Sequence, residues 1–239
     1  MTDKSEVLLL ALQNGEIELK GQFTRGYNYT FLVNIHHAGD EIPAVYKPQK
    51  GEQPLWDFPE NSLAGREVTA YLVSQALGFG LVPLTVLRDG PFGLGSLQQY
   101  IDYNPNYHYF TFKPADRQRL RPMALFDLLV NNADRKGSHM IFQKRTLRLF
   151  GIDHGLCFRV EDKLRTVVWD FAGEDIPPEL LSALGSLRSA LTSNLSVDLQ
   201  PYLSPDELAA LAARADLLLA SGKFPLLPED RRAYPYPPL

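Results

Sequence analysis

Two aspartates set out the chemistry available to this sequence. Asp134 and Asp153 each follow an apolar run and precede a short polar loop in LFDLLVNNADRKGSHMIFQKRTLRLFGIDHGLCF (125–158). Between them, MIF (140–142) and LRLF (147–150) flank a Lys144-Arg145-Thr146 turn, a pattern that predicts a β-hairpin. A hairpin of that size brings its two ends, and so both carboxylates, to one edge. Two carboxylates there, beside Arg135 and Lys136, suit a divalent metal and an anionic substrate such as a polyphosphate.

Elements able to position these groups are legible on both sides. Upstream, Arg117–Asn131 reads as a helix with Met123, Leu125, Phe126, Leu129 and Val130 apolar, and its end delivers Asn131-Asn132-Ala133-Asp134. The first half reads as a sheet. Ser5 caps a short helix over 6–13, which Asn14-Gly15 ends. Strands follow at 16–24 (Ile17, Leu19 and Phe23 on one face), 30–35, 42–48, 81–88 and 94–101, the first two joined by an Arg25-Gly26-Tyr27-Asn28 turn. A helix pattern over 62–77, capped by Asn61 or Ser62 and ended by Gly78, places Val68, Tyr71, Leu72 and Gln75 on one face.

Lys47 stands in the apolar strand IPAVYKP. A lysine facing a core must find a partner or lose its charge; otherwise it points to solvent. Glu67, twenty residues on in the helix, is a candidate partner. In GEQPLWDFPE (51–60), Trp56 and Phe58 are expected to pack a loop against the sheet half.

After Phe158, RVEDKLRTVVWDFAGEDIP (159–177) carries Lys163 and Arg165, which either meet a phosphate or acceptor or form a solvated face. Trp169 and Phe171 are expected to anchor this segment. Residues 178–199 and 205–220 read as helices. Ser204 and Glu207 form a capping box for the second, and Gly222 stops it. The tail PLLPEDRRAYPYPPL (225–239) has five prolines and either wraps extended over the surface or is mobile.

The Asp134 and Asp153 segment resembles the catalytic and metal loops of the phosphatidylinositol 3-/4-kinase-like family, a branch of the protein-kinase-like fold. In that family an Asp-Arg pair opens the catalytic loop and an Asp-x-Gly follows the next hairpin; Asp134-Arg135 and Asp153-His154-Gly155 match. The resemblance implies an α+β, two-lobed fold. Its N-lobe, over 1–104, is a five-stranded antiparallel sheet with the 62–77 helix. Its mainly helical C-lobe, over 105–239, carries a catalytic loop at 131–139 and a metal loop at 152–156. It further implies an ATP-dependent and Mg²⁺- or Mn²⁺-dependent phosphotransferase.

In that reading Asp134 orients or deprotonates the acceptor and Lys136 stabilises charge on the transferred group. Lys47, held by Glu67, grips the nucleotide. Asn28 belongs to the phosphate-covering turn, and Tyr100 lies in the Gln98–Asp102 hinge, whose backbone meets adenine. Asp153 binds the metal. One position departs from the kinase pattern: an asparagine is expected five residues after the catalytic aspartate, and His139 stands there. Imidazole suits Mn²⁺ or Zn²⁺ better than Mg²⁺.

The acceptor is expected to be a protein side chain or a small metabolite, since no strongly basic stretch marks an inositide-binding loop. A net charge of −4 argues against general nucleic-acid binding. The single Cys157 can form no internal disulfide, and Val7–Leu12 is too short to span a membrane, so a cytoplasmic protein without an integral membrane segment is expected. Two other readings compete. One is a non-catalytic nucleotide-binding scaffold, the other a metal-dependent phosphohydrolase built on His139, Asp153 and His154.

Overall fold

The computed structural model describes residues 4–23 and 28–239. The Arg25, Gly26 and Tyr27 positions of the first hairpin turn lie outside the described residues.

Five strands, β1 (Glu16–Gln22), β2 (Phe31–His37), β3 (Asp40–Pro48), β4 (Thr85–Gly90) and β5 (Gly93–Gln99), pair antiparallel in the order β1-β2-β3-β5-β4. The period of two in a strand sends Val33, Ile35, Ala44 and Tyr46 to one face. There they bury against Leu97, Val86 and the α1 helix (Lys4–Asn14) through Ala11 and Leu12. Lys47, one residue beyond Tyr46, therefore points to the opposite face.

Two sequence expectations change here. Leu19 and Phe23 are exposed rather than facing a core, because β1 is an edge strand with a register shift between Leu19 and Gly21, and α1 lies over β2, β4 and β5. Residues 81–84 are not strand. The Leu81 and Val82 N–H groups donate to Ser74 Oγ at 2.8 and 3.2 Å, which ties that backbone to a helix.

That helix, α2 (Leu63–Ala76), is sandwiched between the sheet and the helical half. It buries Arg66, Glu67, Thr69, Ala70, Val73 and Ser74, while on the face shared by Val68, Tyr71, Leu72 and Gln75 burial falls from Val68 to exposed Gln75.

In the second half, the helix expected over 117–131 is two: α3 (Pro114–Gln118) and α4 (Arg121–Val130). Pro122 near the start of α4 has no N–H to continue the earlier turn. Strands β6 (Met140–Phe142) and β7 (Leu149–Gly151) form the expected hairpin, the second arm ending one residue later than the pattern suggested.

The helix expected over 178–199 is also split, into α5 (Pro178–Ala190) and α6 (Asn194–Leu199). Between them the Thr192 and Ser193 hydroxyls donate back to the Ser189 and Ala190 carbonyls, competing with helix continuation. α7 (Pro205–Ser221) has the expected Ser204–Glu207 capping box and Gly222 stop, the latter at φ 61°. Phe126, Leu129, Phe158, Leu184, Leu187 and Leu211 centre the core of this half, and Ala70, Val73 and Leu77 of the α2 region join it.

Phe58 is buried, but Trp56 is 92% exposed and lies beside Arg159 and Lys163 instead of packing on the sheet. The tail takes the extended course: the Thr166 N–H and Trp169 Nε1–H both donate to Ala233 O, and the Gly137 N–H donates to Pro238 O at 2.8 Å. Among the described residues, no helix is long and apolar enough to cross a membrane.

Candidate active site

A cavity of about 400 Å³ separates the sheet from the helical half, with Lys47, Glu67, Asp134, Lys136, His139 and Asp153 on its walls. A larger concavity of about 830 Å³ lies between Tyr109–Phe110, Trp169 and the tail. The candidate chemistry gathers in the smaller one.

Lys47 reaches it from the cleft face of β3. Its ammonium forms an ion pair with Glu67 of α2 and a second with Asp153 Oδ1 at 3.0 Å. Burial would drive the lysine toward neutrality, yet the Asp153 and Glu67 carboxylates outweigh it and hold its pKa above the ordinary value. Glu67 does more than pair with Lys47. Its second oxygen accepts the His154 N–H at 3.0 Å, so one buried carboxylate joins the strand lysine to the Asp153–Gly155 loop.

Asp153 sits at φ 61°, the left-handed region that Asp and Asn enter more readily than most residues. About half of its side chain is exposed, and the Lys47 ammonium holds its carboxyl well below the usual carboxylate range. Asp153 Oδ2 is 3.4 Å from His139 Nε2. His139 is pushed down to about 4 by burial, so its ring is neutral at pH 7. Its Nδ1 faces the Lys136 N–H at 3.5 Å, an arrangement that leaves the ring proton on Nε2, toward Asp153. Burial raises the Asp134 carboxyl to about 6, even though Lys136 Nζ lies 3.1 Å from it. The Asp134 N–H donates to Asn132 Oδ1 at 2.9 Å, fixing the turn that presents the carboxylate.

Arg135 does not face the cavity. Its side chain is fully buried, bound to Asp127 Oδ1 and Oδ2 through Nε at 3.0 Å each, and donates to Ile152 O at 2.9 Å. Arg135 Nη2 also lies 2.7 Å from His154 Nε2. An arginine only donates, so that nitrogen accepts and the neutral His154 ring carries its proton on Nδ1. Burial and the Arg135 charge hold the His154 pKa well below its ordinary value. Sequence reasoning missed Asp127 and the inward role of Arg135. The available signal was an acid inside the apolar helix run LFDLLV, since a buried charge needs a partner.

Of the remaining sequence candidates, Asn28 accepts the Gln53 N–H at 2.8 Å and lines the cavity, as does Tyr100. The Tyr100 N–H is already donated to Pro43 O at 3.1 Å; in the same stretch, the Ile101 N–H has no partner among the described residues.

One half-exposed carboxylate with a neutral imidazole, open toward a second carboxylate, fits a divalent cation that completes its shell with phosphate oxygens and water, provided the His139 proton moves from Nε2 to Nδ1 and the long Lys136 N–H contact is given up. It does not make a closed protein cage. Among the described residues, the triple whose ligand atoms all lie within 4.8 Å is Glu18–His36–Glu41, exposed on the outer strands and joined to Lys20. The hydrolase reading fails on His154, whose ring is engaged with Arg135 in the interior.

Lys163, the other basic candidate of the 159–177 segment, pairs with buried Asp57. Phe171 is buried in the core and Trp169 is tied to the tail, as expected of anchors.

No known family profile matches the chain. It is 38% identical to Protein Rv2133c of Mycobacterium tuberculosis (strain ATCC 25618 / H37Rv) over an alignment of 261 residues, which covers 95% of this chain and 93% of that protein. It is 30% identical over 143 residues to Phosphatidylinositol 4-kinase gamma 4 of Oryza sativa subsp. japonica, covering 51% of this chain and 25% of that protein. The crystal structure of a Helicobacter pylori proinflammatory kinase, CtkA, superposes with a TM-score of 0.54 at 14% identity, over 89% of this chain and 94% of that one. The architecture is therefore kinase-like: a five-stranded antiparallel sheet joined to a helical half.

Proposed function

The chain belongs to the family of Protein Rv2133c from Mycobacterium tuberculosis, and for it we propose the activity of an ATP-dependent phosphotransferase, related in type to the phosphatidylinositol 3-/4-kinases. The observation that carries this reading is the Lys47–Glu67–Asp153 linkage, which joins sheet, α2 and metal loop around one cavity. Lys47 holds the nucleotide phosphates, and Asp153 with His139 holds Mg²⁺ or Mn²⁺, a cation that would neutralise phosphate charge. Adenine enters the hinge side, where the Ile101 N–H is a free backbone donor among the described residues and Tyr100 and Asn28 line the walls. Asp134 accepts the acceptor hydroxyl's proton, and a carboxyl raised to about 6 is a stronger base than an ordinary aspartate while still ionised at pH 7. Lys136 sits beside it to balance charge on the transferred group.

Incubation with ATP and either metal, followed by mass analysis of the products, tests the reading. Phosphoryl transfer gives ADP and an acceptor heavier by one phosphate. Release of pyrophosphate with a nucleotidylated product would replace it with nucleotidyl transfer. Asp134→Asn is expected to lower the rate by about 10²–10⁴-fold, the usual weight of a positioned general base. A second reading, a nucleotide-binding scaffold, draws on the Nε2–H of His139 facing Asp153, where kinases place an amide oxygen on the metal. It foresees nucleotide binding with no product.

A further inference from the structure

Resting on the phosphotransferase reading, we propose that the C-terminal tail completes an anion subsite for the acceptor, in which Arg165 and Arg232 bind a phosphate carried by the hydroxyl-bearing substrate.

The placement comes from the backbone. The 164–166 segment is clamped between the catalytic loop and the tail. The Arg165 N–H donates to Asn132 O at 2.8 Å and the Arg135 N–H to Arg165 O at 2.9 Å on one side. On the other, the Thr166 N–H donates to Ala233 O at 3.1 Å and Arg231 Nη1 to Leu164 O at 2.8 Å. Arg165 thus stands between Asp134 and the tail arginines.

These three arginines are not equally free. Arg231 is bound to Asp162 at 2.6 Å. Arg232 donates only to the Tyr234 carbonyl, at 2.9 Å, and lies over the Tyr236 ring. Arg165 makes no side-chain hydrogen bond, and neither it nor Arg232 forms an ion pair among the described residues. Burial and the like charges of Arg232 and Arg231 push the Arg165 pKa down, with Asp134 acting the other way. Arg165 and Arg232 are like charges with no ion pair of their own among the described residues, a repulsion that a bound anion relieves, and guanidinium groups match phosphate bidentately.

The concavity of about 830 Å³ gives the rest of the acceptor a place. Arg232, Trp169, Tyr234 and Phe110 line it. It abuts the catalytic loop at Gly137, whose N–H binds Pro238 O and against whose Cα Phe110 packs so closely that an added Cβ would fall 2.8 Å from the ring. A phosphate on Arg165 and Arg232 would keep a neighbouring hydroxyl within the reach of Asp134. The same chemistry is presented by a soluble polyol phosphate and by an anionic lipid headgroup.

The experiment uses the full chain loaded with ADP and Mg²⁺, titrated with glycerol 3-phosphate in one arm and with vesicles of phosphatidylcholine containing phosphatidylglycerol in the other. ATP affinity of the wild type is measured alongside. Wild type is expected to bind at least one probe. Arg165→Gln with Arg232→Gln should weaken that binding by about tenfold or more, and Arg165→Lys, which keeps the charge, by less. Binding of the soluble probe identifies a metabolite-type acceptor; binding of the vesicles alone identifies a headgroup.

Melting temperature reports whether each variant is folded. A wild type that binds ATP but neither probe overturns the subsite and leaves the phosphotransferase reading intact, as does a folded double variant with unchanged affinity. A wild type that does not bind ATP overturns the phosphotransferase reading and the acceptor role with it.

Discussion

Asp127 and Asp134 each contact a basic side chain of the same loop, and their fates are opposite. The Asp127–Arg135 pair is wholly buried and fully hydrogen-bonded, while the Asp134–Lys136 pair keeps 26% and 19% of its side-chain surface and opens on the cavity. The Asp153–His154 pair repeats the division, with Asp153 outward and His154 inward. Alternate residues of each loop do different work. The inward set, Asp127, Arg135 and His154, ties the Asp134 loop, the Asp153 loop and α4 together through buried hydrogen bonds. In the outward set, burial raises the Asp134 carboxyl, while the Lys47 ammonium lowers that of Asp153.

Several substitutions would break or sharpen that division. Asp127→Ala leaves the Arg135 charge buried and unpaired, so a loss of about 3–5 kcal/mol in urea unfolding is expected, the size found when one partner of a buried pair is removed. An unchanged midpoint would mean the inward set is not a structural unit. Lys47→Met leaves the buried Glu67 carboxylate with the His154 N–H but without its cation, so it too should lower the unfolding midpoint, and in the folded variant it should weaken ATP binding by about tenfold or more in calorimetry.

The pH dependence separates function from stability at Asp134. As a base it works only when ionised, so kcat/KM is expected to rise with pH through about 6. Its effect on stability has the other sign. A carboxyl raised from its ordinary 3.8 to about 6 favours the folded state fully below pH 3.8, and that contribution is lost as pH rises through about 6. Asp134→Asn should therefore gain stability over wild type at pH 7 and lose that advantage near pH 4, while its activity stays low throughout. The smallest effect is expected from His139→Asn, a shift of only a few-fold in favour of Mg²⁺ over Mn²⁺ in metal titrations, as an amide oxygen replaces a nitrogen.

The outward set was legible in the sequence because its chemistry leaves local marks. Asp134 and Asp153 each follow an apolar run, and Lys47 interrupts one. The inward set was not legible, because Arg135 beside Lys136 reads as a second cation until the chain reversal turns it into the core. Strand alternation placed β2 and β3 well, where one face is buried. It found β1 and the inward Ile17 but failed for Leu19 and Phe23 at this sheet edge, which have no partner layer, and for 81–84, where the Ser74 hydroxyl takes the backbone donors. Helix periodicity ran through Pro122 and Thr192-Ser193, where backbone chemistry ends the helix despite apolar continuity. The tail offered no periodicity at all; its course is set by single hydrogen bonds to the loops it crosses.

Thermal unfolding of wild type and Asp153→Asn with ATP, each with Mg²⁺ or Mn²⁺, addresses the central claim most directly. Asparagine tolerates the left-handed backbone at this position, so the variant tests the carboxylate and not the fold. The expected result is a metal-dependent rise in melting temperature for wild type, through ligand linkage, that the variant loses. No rise with either metal, or an equal rise in the variant, would contradict a nucleotide–metal site between Lys47 and Asp153.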